Sequence, residues 1–127
     1  MSDVGGVLFD IEGVIVTSWK PVPGAADVLA RLREDGVTRA FLTNTTSRTR
    51  AAIARSLTDL GMPVDPDEIV TAAGLTAEYV RQTYPGRRCW VLNDGDIEDD
   101  LEGIVQDDVD PEVVVLGGAG RHYDHRS

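Results

Sequence analysis

The stretch from Val7 to Val14 constrains the fold of this chain more than any other. It reads Val-Leu-Phe-Asp-Ile-Glu-Gly-Val, an apolar run that ends on Asp10 and breaks at Gly13. Buried parallel strands have continuous apolar sequences, and they deliver side chains to the crevice at their carboxyl ends. The pattern therefore predicts a buried strand that ends on a functional carboxylate. The alternative is an aspartate that only caps the turn after the strand.

Strand and helix patterns alternate along the rest of the sequence. Ala25, Val28, Leu29 and Leu32 fall at helical spacing, and Gly36 follows as a stop signal. The remaining predicted elements are a strand over 37–43, a helix through 53–60, a strand over 69–71, a helix through 75–80, a strand over 89–92, a short acidic helix near 97–101 and a strand over 113–116. This order predicts an α/β fold with a Rossmann-like, doubly wound parallel sheet and right-handed crossovers.

Composition excludes several classes of partner. The net charge of −10 at pH 7 argues against nucleic acid and anionic membrane surfaces, because both would be repelled. No apolar run approaches the length needed to cross a membrane, and no signal-peptide pattern opens the chain. Cys89 is the only cysteine, so an internal disulfide is impossible, and its apolar context predicts a buried, inert thiol. These features favour a cytoplasmic location.

Several segments together carry a family resemblance. Residues 9–14, 22–25 and 41–46 resemble, in order and spacing, the first two motifs of the haloacid dehalogenase superfamily. Residues 91–95 and 110–117 resemble the beginning of the cap domain in its class IIA, or NagD-like, branch. Within that branch the chain resembles the phospholysine phosphohistidine inorganic pyrophosphate phosphatase group. The resemblance implies the N-terminal half of a core domain over 1–73 and the beginning of an α/β cap over 74–127.

The resemblance also implies a chemistry and a set of site residues. Asp10 would be the nucleophile of a phosphatase that forms an aspartyl-phosphate, with Mg²⁺ neutralising phosphate charge. Asp10 and the backbone carbonyl of Glu12 would be the metal ligands. Thr43 and Asn44 would donate hydrogen bonds to the phosphate, and the start of the next helix, beside Asn44, would add backbone amides. The substrate would be a phosphorylated small molecule or a phosphorylated residue.

Glu12 departs from the family pattern. Phosphatases of the superfamily usually carry aspartate at this position, where it protonates the leaving group and then activates water. Glutamate keeps that proton chemistry but reaches one methylene further, which changes the geometry. Two interpretations stay open at this point: Glu12 transfers protons, or it is a structural residue.

Two later motifs of the family do not occur in the sequence. The phosphatases need a lysine in a third motif and an acidic pair in a fourth, and both follow the cap. We therefore expect the N-terminal part of such an enzyme, with an incomplete core and a truncated cap. The alternative function is that of a non-catalytic remnant or interaction protein, in which an exposed sheet edge drives association, for example into a homo-oligomer.

Other apparent motifs receive simpler interpretations. Residues 94–99 resemble a calcium loop only superficially, and we expect a solvated acidic face. The segment Gly118-Ala119-Gly120 lacks the third glycine of a dinucleotide fingerprint and predicts a turn. His122, Asp124 and His125 form only a weak candidate for a metal site. Trp19 is a candidate for the border of a substrate site, whereas Trp90 is predicted to be core.

Overall fold

Strands and helices alternate through residues 4–118, the part of the chain that a computed structural model describes. Within this range the chain divides into two units. The first contains residues 4–44 and 50–70, and the second contains residues 45–49 and 71–118. The expected α/β class with parallel strand pairs is confirmed. The domain assignment of 1–73 and 74–127 stays a prediction.

The first unit is built on a three-stranded sheet of order β1-β4-β5, in which β1 and β4 are parallel. Two further short strands, β2 and β3, form an antiparallel hairpin. The bounds in chain order are β1 Gly6–Asp10, β2 Val16–Thr17, β3 Lys20–Pro21, α1 Ala25–Glu34, β4 Thr38–Thr43, α2 Arg50–Asp59, a 3-10 turn Pro66–Glu68 and β5 Ile69–Thr71. The last residue of β5 belongs to the second unit.

Helix α1 ends where the sequence predicts. Gly36 has a φ of 69°, a left-handed conformation that glycine adopts without steric cost. The next amide, that of Val37, returns to the Leu32 carbonyl at 3.0 Å, which closes the end of the helix. This turn leads the chain directly into β4.

The core of the first unit surrounds Phe41, whose side chain is fully buried. The Phe9 and Phe41 rings stack with centroids 5.5 Å apart, which ties β1 to β4. The buried residues of this cluster are Ile11, Ile15, Val16, Leu29, Phe41, Ile53, Ala54, Leu57, Met62, Val64 and Ile69. Burial of each larger side chain contributes roughly 1.5–3 kcal/mol to folding.

The second unit has a three-stranded parallel sheet of order β7-β6-β8. Its elements are α3 Ala72–Thr83, β6 Arg88–Leu92, a 3-10 turn Glu98–Leu101, β7 Val105–Gln106 and β8 Val113–Leu116. Thr71 begins α3 as its N-cap, since its hydroxyl accepts the Gly74 amide at 2.9 Å. Ala73 and Ala77 of that helix pack with Ile97, Leu101 and partly buried Val91.

Most predicted elements are confirmed, but two burial assignments are wrong. Strand β1 is not buried as the apolar run predicts, since its residues are exposed or only partly buried and Leu8 is 72% exposed. The second concerns β6. Trp90 is 38% exposed, whereas its neighbour Cys89 is fully buried. Side chains alternate along a strand, and the helix packs on the face that carries Cys89 and Val91, so Trp90 points to the opposite face. The short strands β3 and β7 were not predicted.

The acidic face expected near residue 96 is confirmed. The carboxylates of Asp94, Asp96, Glu98 and Asp99 belong to exposed residues. Residues 119–127, which include His122, Asp124 and His125, lie outside the described residues. Among residues 4–118, no helix has both the length and the apolar character needed to cross a bilayer.

Candidate active site

Asp10 is the last residue of β1, at the carboxyl end of the sheet in the first unit. Its Oδ1 accepts a hydrogen bond of 2.8 Å from the Ile11 amide, which fixes the carboxylate relative to the turn. Asp10 is exposed, so this carboxylate faces solvent. A carboxylate that is fixed and accessible meets the first requirement for a nucleophile.

The strand register brings Thr43 and Asn44 to the same edge as Asp10. Asp10 lies opposite Leu42 in the parallel β1–β4 ladder, so Thr43 and Asn44 directly follow its partner. Adjacent strands are about 4.8 Å apart, which places the three predicted site residues at neighbouring strand ends. Thr43 is partly buried and Asn44 is exposed.

The expectation that a helix begins beside Asn44 is wrong. Helix α2 begins at Arg50, and residues 45–49 separate it from Asn44. Residues 45–49 belong to the second unit, where the Thr46 carbonyl accepts a 2.6 Å hydrogen bond from the Asn93 side-chain amide. The amides at the start of α2 therefore do not directly follow the phosphate-binding candidates.

Glu12 is exposed and lies in a tight loop directly after the strand. The Ile11 carbonyl accepts the amides of Val14, Ile15 and Val16 at 3.1–3.3 Å, so the loop closes on itself. Glu12 Oε1 accepts a 2.9 Å hydrogen bond from the backbone amide of Ser18. The loop thus links the end of β1 to the tip of the β2–β3 hairpin.

The hairpin tip has an uncommon backbone conformation. Ser18 and Trp19 have φ values of 49° and 59°, and they are the only non-glycine residues with positive φ among residues 4–118. Two successive left-handed residues are typical of a two-residue hairpin turn, but such turns favour Asn-Gly. Sequence reasoning missed this turn because neither residue carries its usual signal.

An apolar cleft in the first unit is separate from the Asp10 carboxylate. The cleft has a volume of about 270 Å³ and is lined by Phe9, Val14, Pro23 and Leu29, among others. Side chains alternate across a strand, so Phe9 and Asp10 point to opposite faces of the sheet. The face that carries Asp10 also carries Leu8, which is 72% exposed.

The donor set at this edge suits a hard cation. A carboxylate from Asp10 and a backbone carbonyl from Glu12 are oxygen ligands of the kind that Mg²⁺ prefers. Among residues 4–118, no group of three histidine, cysteine, aspartate or glutamate residues could hold a metal. A magnesium ion here would take its other ligands from water and phosphate, as is common for this ion.

Comparison with known proteins identifies the family. The family model described as haloacid dehalogenase-like hydrolase matches residues 7–104. The chain belongs to this family. The match begins inside β1 and includes Asp10, Glu12, Thr43 and Asn44, so all four candidate residues lie within the family region.

Relatives of this hydrolase family are phosphatases by name. Human glycerol-3-phosphate phosphatase is 36% identical over 130 residues, an alignment that covers 94% of this chain and 40% of the relative. Ribonucleotide monophosphatase NagD of Escherichia coli K12 is 30% identical over 116 residues, with 90% and 46% covered.

Solved structures of the family agree with the fold. NagD from Escherichia coli superposes with a TM-score of 0.85 at 30% identity, over 97% of this chain and 49% of that chain. A p-nitrophenyl phosphatase from Archaeoglobus fulgidus gives a TM-score of 0.86 at 28% identity, with 98% and 48% covered. The NagD-like branch is thereby confirmed, and the chain spans about half the length of the relatives that it matches.

Proposed function

We propose that this chain carries the nucleophile and the phosphate-binding edge of a magnesium-dependent phosphatase. The observation that supports the proposal is the register of β1 and β4, which sets Asp10 beside the strand end that continues into Thr43 and Asn44. A carboxylate next to a hydroxyl and an amide can attack a phosphate while the neighbouring groups bind its oxygens.

The reaction proceeds in two steps on Asp10. A carboxylate oxygen of Asp10 attacks phosphorus, the bond from phosphorus to the leaving oxygen breaks, and Glu12 gives that oxygen a proton. A water molecule then attacks phosphorus, Glu12 takes a proton from it, and the Asp10 carboxylate and inorganic phosphate are released. The second step returns the proton to Glu12 and frees the Asp10 carboxylate, so the phosphate ester and water are the only reactants consumed.

The neighbouring groups supply positioning and charge balance. Thr43 and Asn44 donate hydrogen bonds to phosphate oxygens, where charge builds up in the transition state. Asp10 and the Glu12 carbonyl would hold Mg²⁺, which would neutralise phosphate charge and so lower its repulsion from the carboxylate. This help matters in a chain with a net charge of −10, which otherwise repels an anionic substrate.

The substrate is proposed only at the level of class. The relatives are named for glycerol 3-phosphate, ribonucleotide monophosphates, sugar phosphates and 4-nitrophenyl phosphate. All of these are phosphate monoesters of small organic molecules. We therefore propose a phosphorylated small molecule as the substrate, in a protein that works in the cytoplasm.

The test is hydrolysis of 4-nitrophenyl phosphate by the purified chain, with Mg²⁺ and with a chelator in its place. Activity that disappears with the chelator and in Asp10→Asn supports the proposal, because the amide keeps the shape of the side chain but is a poor nucleophile. Activity that survives in Asp10→Asn would refute Asp10 as the nucleophile. A folded chain without activity would refute catalysis by this chain alone.

A second candidate function is association through an exposed sheet. In the second unit, β8 is an edge strand on which Val114 and Leu116 are 51% and 76% exposed. Edge strands with exposed apolar side chains favour pairing with other strands. Sedimentation velocity of the chain beside Val114→Lys tests this function, since an oligomer built on β8 would dissociate in the variant and a monomer would refute it.

A further inference from the structure

The Glu12 carboxylate is already engaged by the protein on its own backbone. Its Oε1 lies 2.9 Å from the amide nitrogen of Ser18, six residues along the chain. Ser18 is the first of the two left-handed residues at the hairpin tip, a conformation that costs a non-glycine residue roughly 1–2 kcal/mol. Some interaction has to hold this conformation, and the carboxylate of Glu12 provides one.

The base of the same hairpin is fixed by the core. Ile15 and Val16 are 2% and 0% exposed, and the Ile15 carbonyl accepts the Val22 amide at 2.9 Å. The tip differs, since Thr17, Ser18 and Trp19 are all exposed. Core packing therefore sets where the hairpin begins, and the hydrogen bond that the Ser18 amide donates to Glu12 adds a contact at its tip.

The extra methylene of Glu12 extends its carboxylate toward the Ser18 amide. An aspartate at the same position is shorter by one carbon–carbon bond, about 1.5 Å, so its carboxylate reaches less far toward the Ser18 amide. The departure from the family pattern thus coincides with a hydrogen bond that the longer side chain makes in this structure.

We infer that Glu12 is a positioning residue, whose side chain holds the Ser18–Trp19 tip beside the Asp10 strand end. Glu12 is two positions after Asp10, a span of at most about 7 Å, and its side chain joins this loop to the tip. The hydrogen bond thereby ties the tip to the loop that directly follows Asp10. This inference deepens the proposed function and rests on it for its relevance to substrate entry, although the contact itself is independent of catalysis.

Glu12 has two properties that substitution can separate: an acceptor oxygen that reaches Ser18, and a proton that a carboxylic acid can give up. Glutamine keeps an acceptor oxygen at the same reach but cannot deliver a proton as a carboxylic acid does. Alanine removes both properties, and aspartate keeps the acid but loses the reach. The three variants therefore distinguish positioning from proton transfer.

The experiment reads the tip directly through Trp19. In a Trp90→Phe chain, Trp19 is the only tryptophan, and acrylamide quenching of its emission measures how open the tip is. Loss of one hydrogen bond shifts the equilibrium between held and open tip by about fivefold. We expect Glu12→Ala and Glu12→Asp to increase quenching, and Glu12→Gln to match the parent chain.

A Ser18→Gly background tests whether the left-handed conformation of Ser18 is what the hydrogen bond to Glu12 holds in place. Ser18→Gly removes the conformational cost at the tip, so the same Glu12→Ala change should raise quenching less in that background. Circular dichroism confirms that each variant is folded. Equal quenching in Glu12→Ala and the parent, or quenching in Glu12→Gln as strong as in Glu12→Ala, would overturn the inference.

Hydrolysis measurements keep this inference separate from the proposed function. If both hold, Glu12→Gln lowers kcat but keeps KM, whereas Glu12→Ala lowers kcat and raises KM. A chain that shows the quenching pattern but hydrolyses nothing would contradict only the proposed function. A chain that hydrolyses phosphate but shows no effect of Glu12→Ala on Trp19 would contradict only the positioning role.

Discussion

The Arg39 guanidinium makes two parallel hydrogen bonds with the Glu68 carboxylate, each 2.9 Å long, from a position that is only 5% exposed. The same guanidinium donates to the carbonyls of Leu29 and Pro63 at 3.1 and 3.3 Å. One side chain on β4 therefore connects α1, the loop after α2 and the turn before β5. The planar fork of arginine makes this set of bonds possible, and lysine cannot reproduce it.

We predict that Arg39→Lys destabilises the first unit by about 1–3 kcal/mol, the cost of leaving buried polar groups unsatisfied. Urea unfolding followed by Trp19 emission in a Trp90→Phe chain measures the loss. The control is Arg33→Lys, because Arg33 is half exposed, lies 3.5 Å from Glu68, and should cost less than about 1 kcal/mol. Similar losses in the two variants would contradict the role of the buried fork.

Acid should weaken the same connection. Burial raises the pKa of Glu68, but the hydrogen bond from Arg39, the Asp65 amide and the charges of Arg39 and Arg33 lower it more, so the pKa lies below 4.5. A lowered pKa in the folded state stabilises the protein above the unfolded pKa and stops doing so as pH falls through the folded value. The free energy of unfolding should therefore decline below about pH 4.5.

Glu68→Gln provides the comparison for that prediction. The variant lacks the titrating group, so the difference in unfolding free energy between it and the parent should be constant near neutral pH and shrink in acid. Urea titrations at several pH values measure this difference. A difference that does not change with pH would show that Glu68 ionisation makes no contribution.

Gly95 is required by both its conformation and its surroundings. Its φ is 101°, and a Cβ at this position would overlap the Ser47 carbonyl and lie 2.8 Å from the Ser47 Cα. We predict that Gly95→Ala destabilises the second unit by about 3 kcal/mol or more, since strain adds to a clash with backbone that cannot move aside. Unfolding followed by Trp90 emission in a Trp19→Phe chain measures it.

Gly86→Ala separates the two causes. Gly86 has a φ of 72°, but a Cβ there would meet no atom within 4 Å. Only the conformational cost of about 1 kcal/mol should appear. If Gly86→Ala and Gly95→Ala cost the same, the close approach of Ser47 does not contribute.

The proposed phosphate-binding role of Asn44 gives a prediction about activity. Asn44→Asp removes a donor and adds a negative charge beside Asp10, so hydrolysis of 4-nitrophenyl phosphate should fall about 100-fold or more. Gln82→Glu, on the exposed surface of α3, adds the same charge elsewhere and should have little effect. A comparable loss in both variants would attribute the effect to net charge and contradict a local role.

Local patterns were sufficient to predict the strand ends on which the candidate site residues lie. One apolar run is followed by Asp10, and a second one is followed by Thr43 and Asn44. Each pattern is local in sequence, and pairing in the sheet brings the two strand ends side by side. The register between them depends on pairing of β1 with β4, which the sequence of either strand alone does not specify. The α/β order limited the possible pairings enough for adjacent strand ends to be predicted.

Features that depend on distant contacts were missed. Arg39 interrupts an apolar strand and gives no sign of its carboxylate partner 29 residues away. The apolar sequence around Trp90 predicts a core side chain, but α3 covers β6 on the opposite face. The turn at Ser18 and Trp19 uses neither Asn nor Gly, so its conformation arises from the hairpin and from Glu12 rather than from local preference.

The buried thiol of Cys89 provides a last prediction, on the second unit. Its side chain is fully buried, and burial, helped by the charge of Glu112, raises the pKa of the thiol above 9.0. Thiolate is the reactive form, so both accessibility and charge state protect Cys89 in the folded protein. We expect a thiol reagent at about pH 8 to label the native chain at least about 100-fold more slowly than the urea-unfolded chain. Because Cys89 is the only cysteine, the labelling rate reports the opening of β6 alone, and rapid native labelling would mean that this strand opens readily.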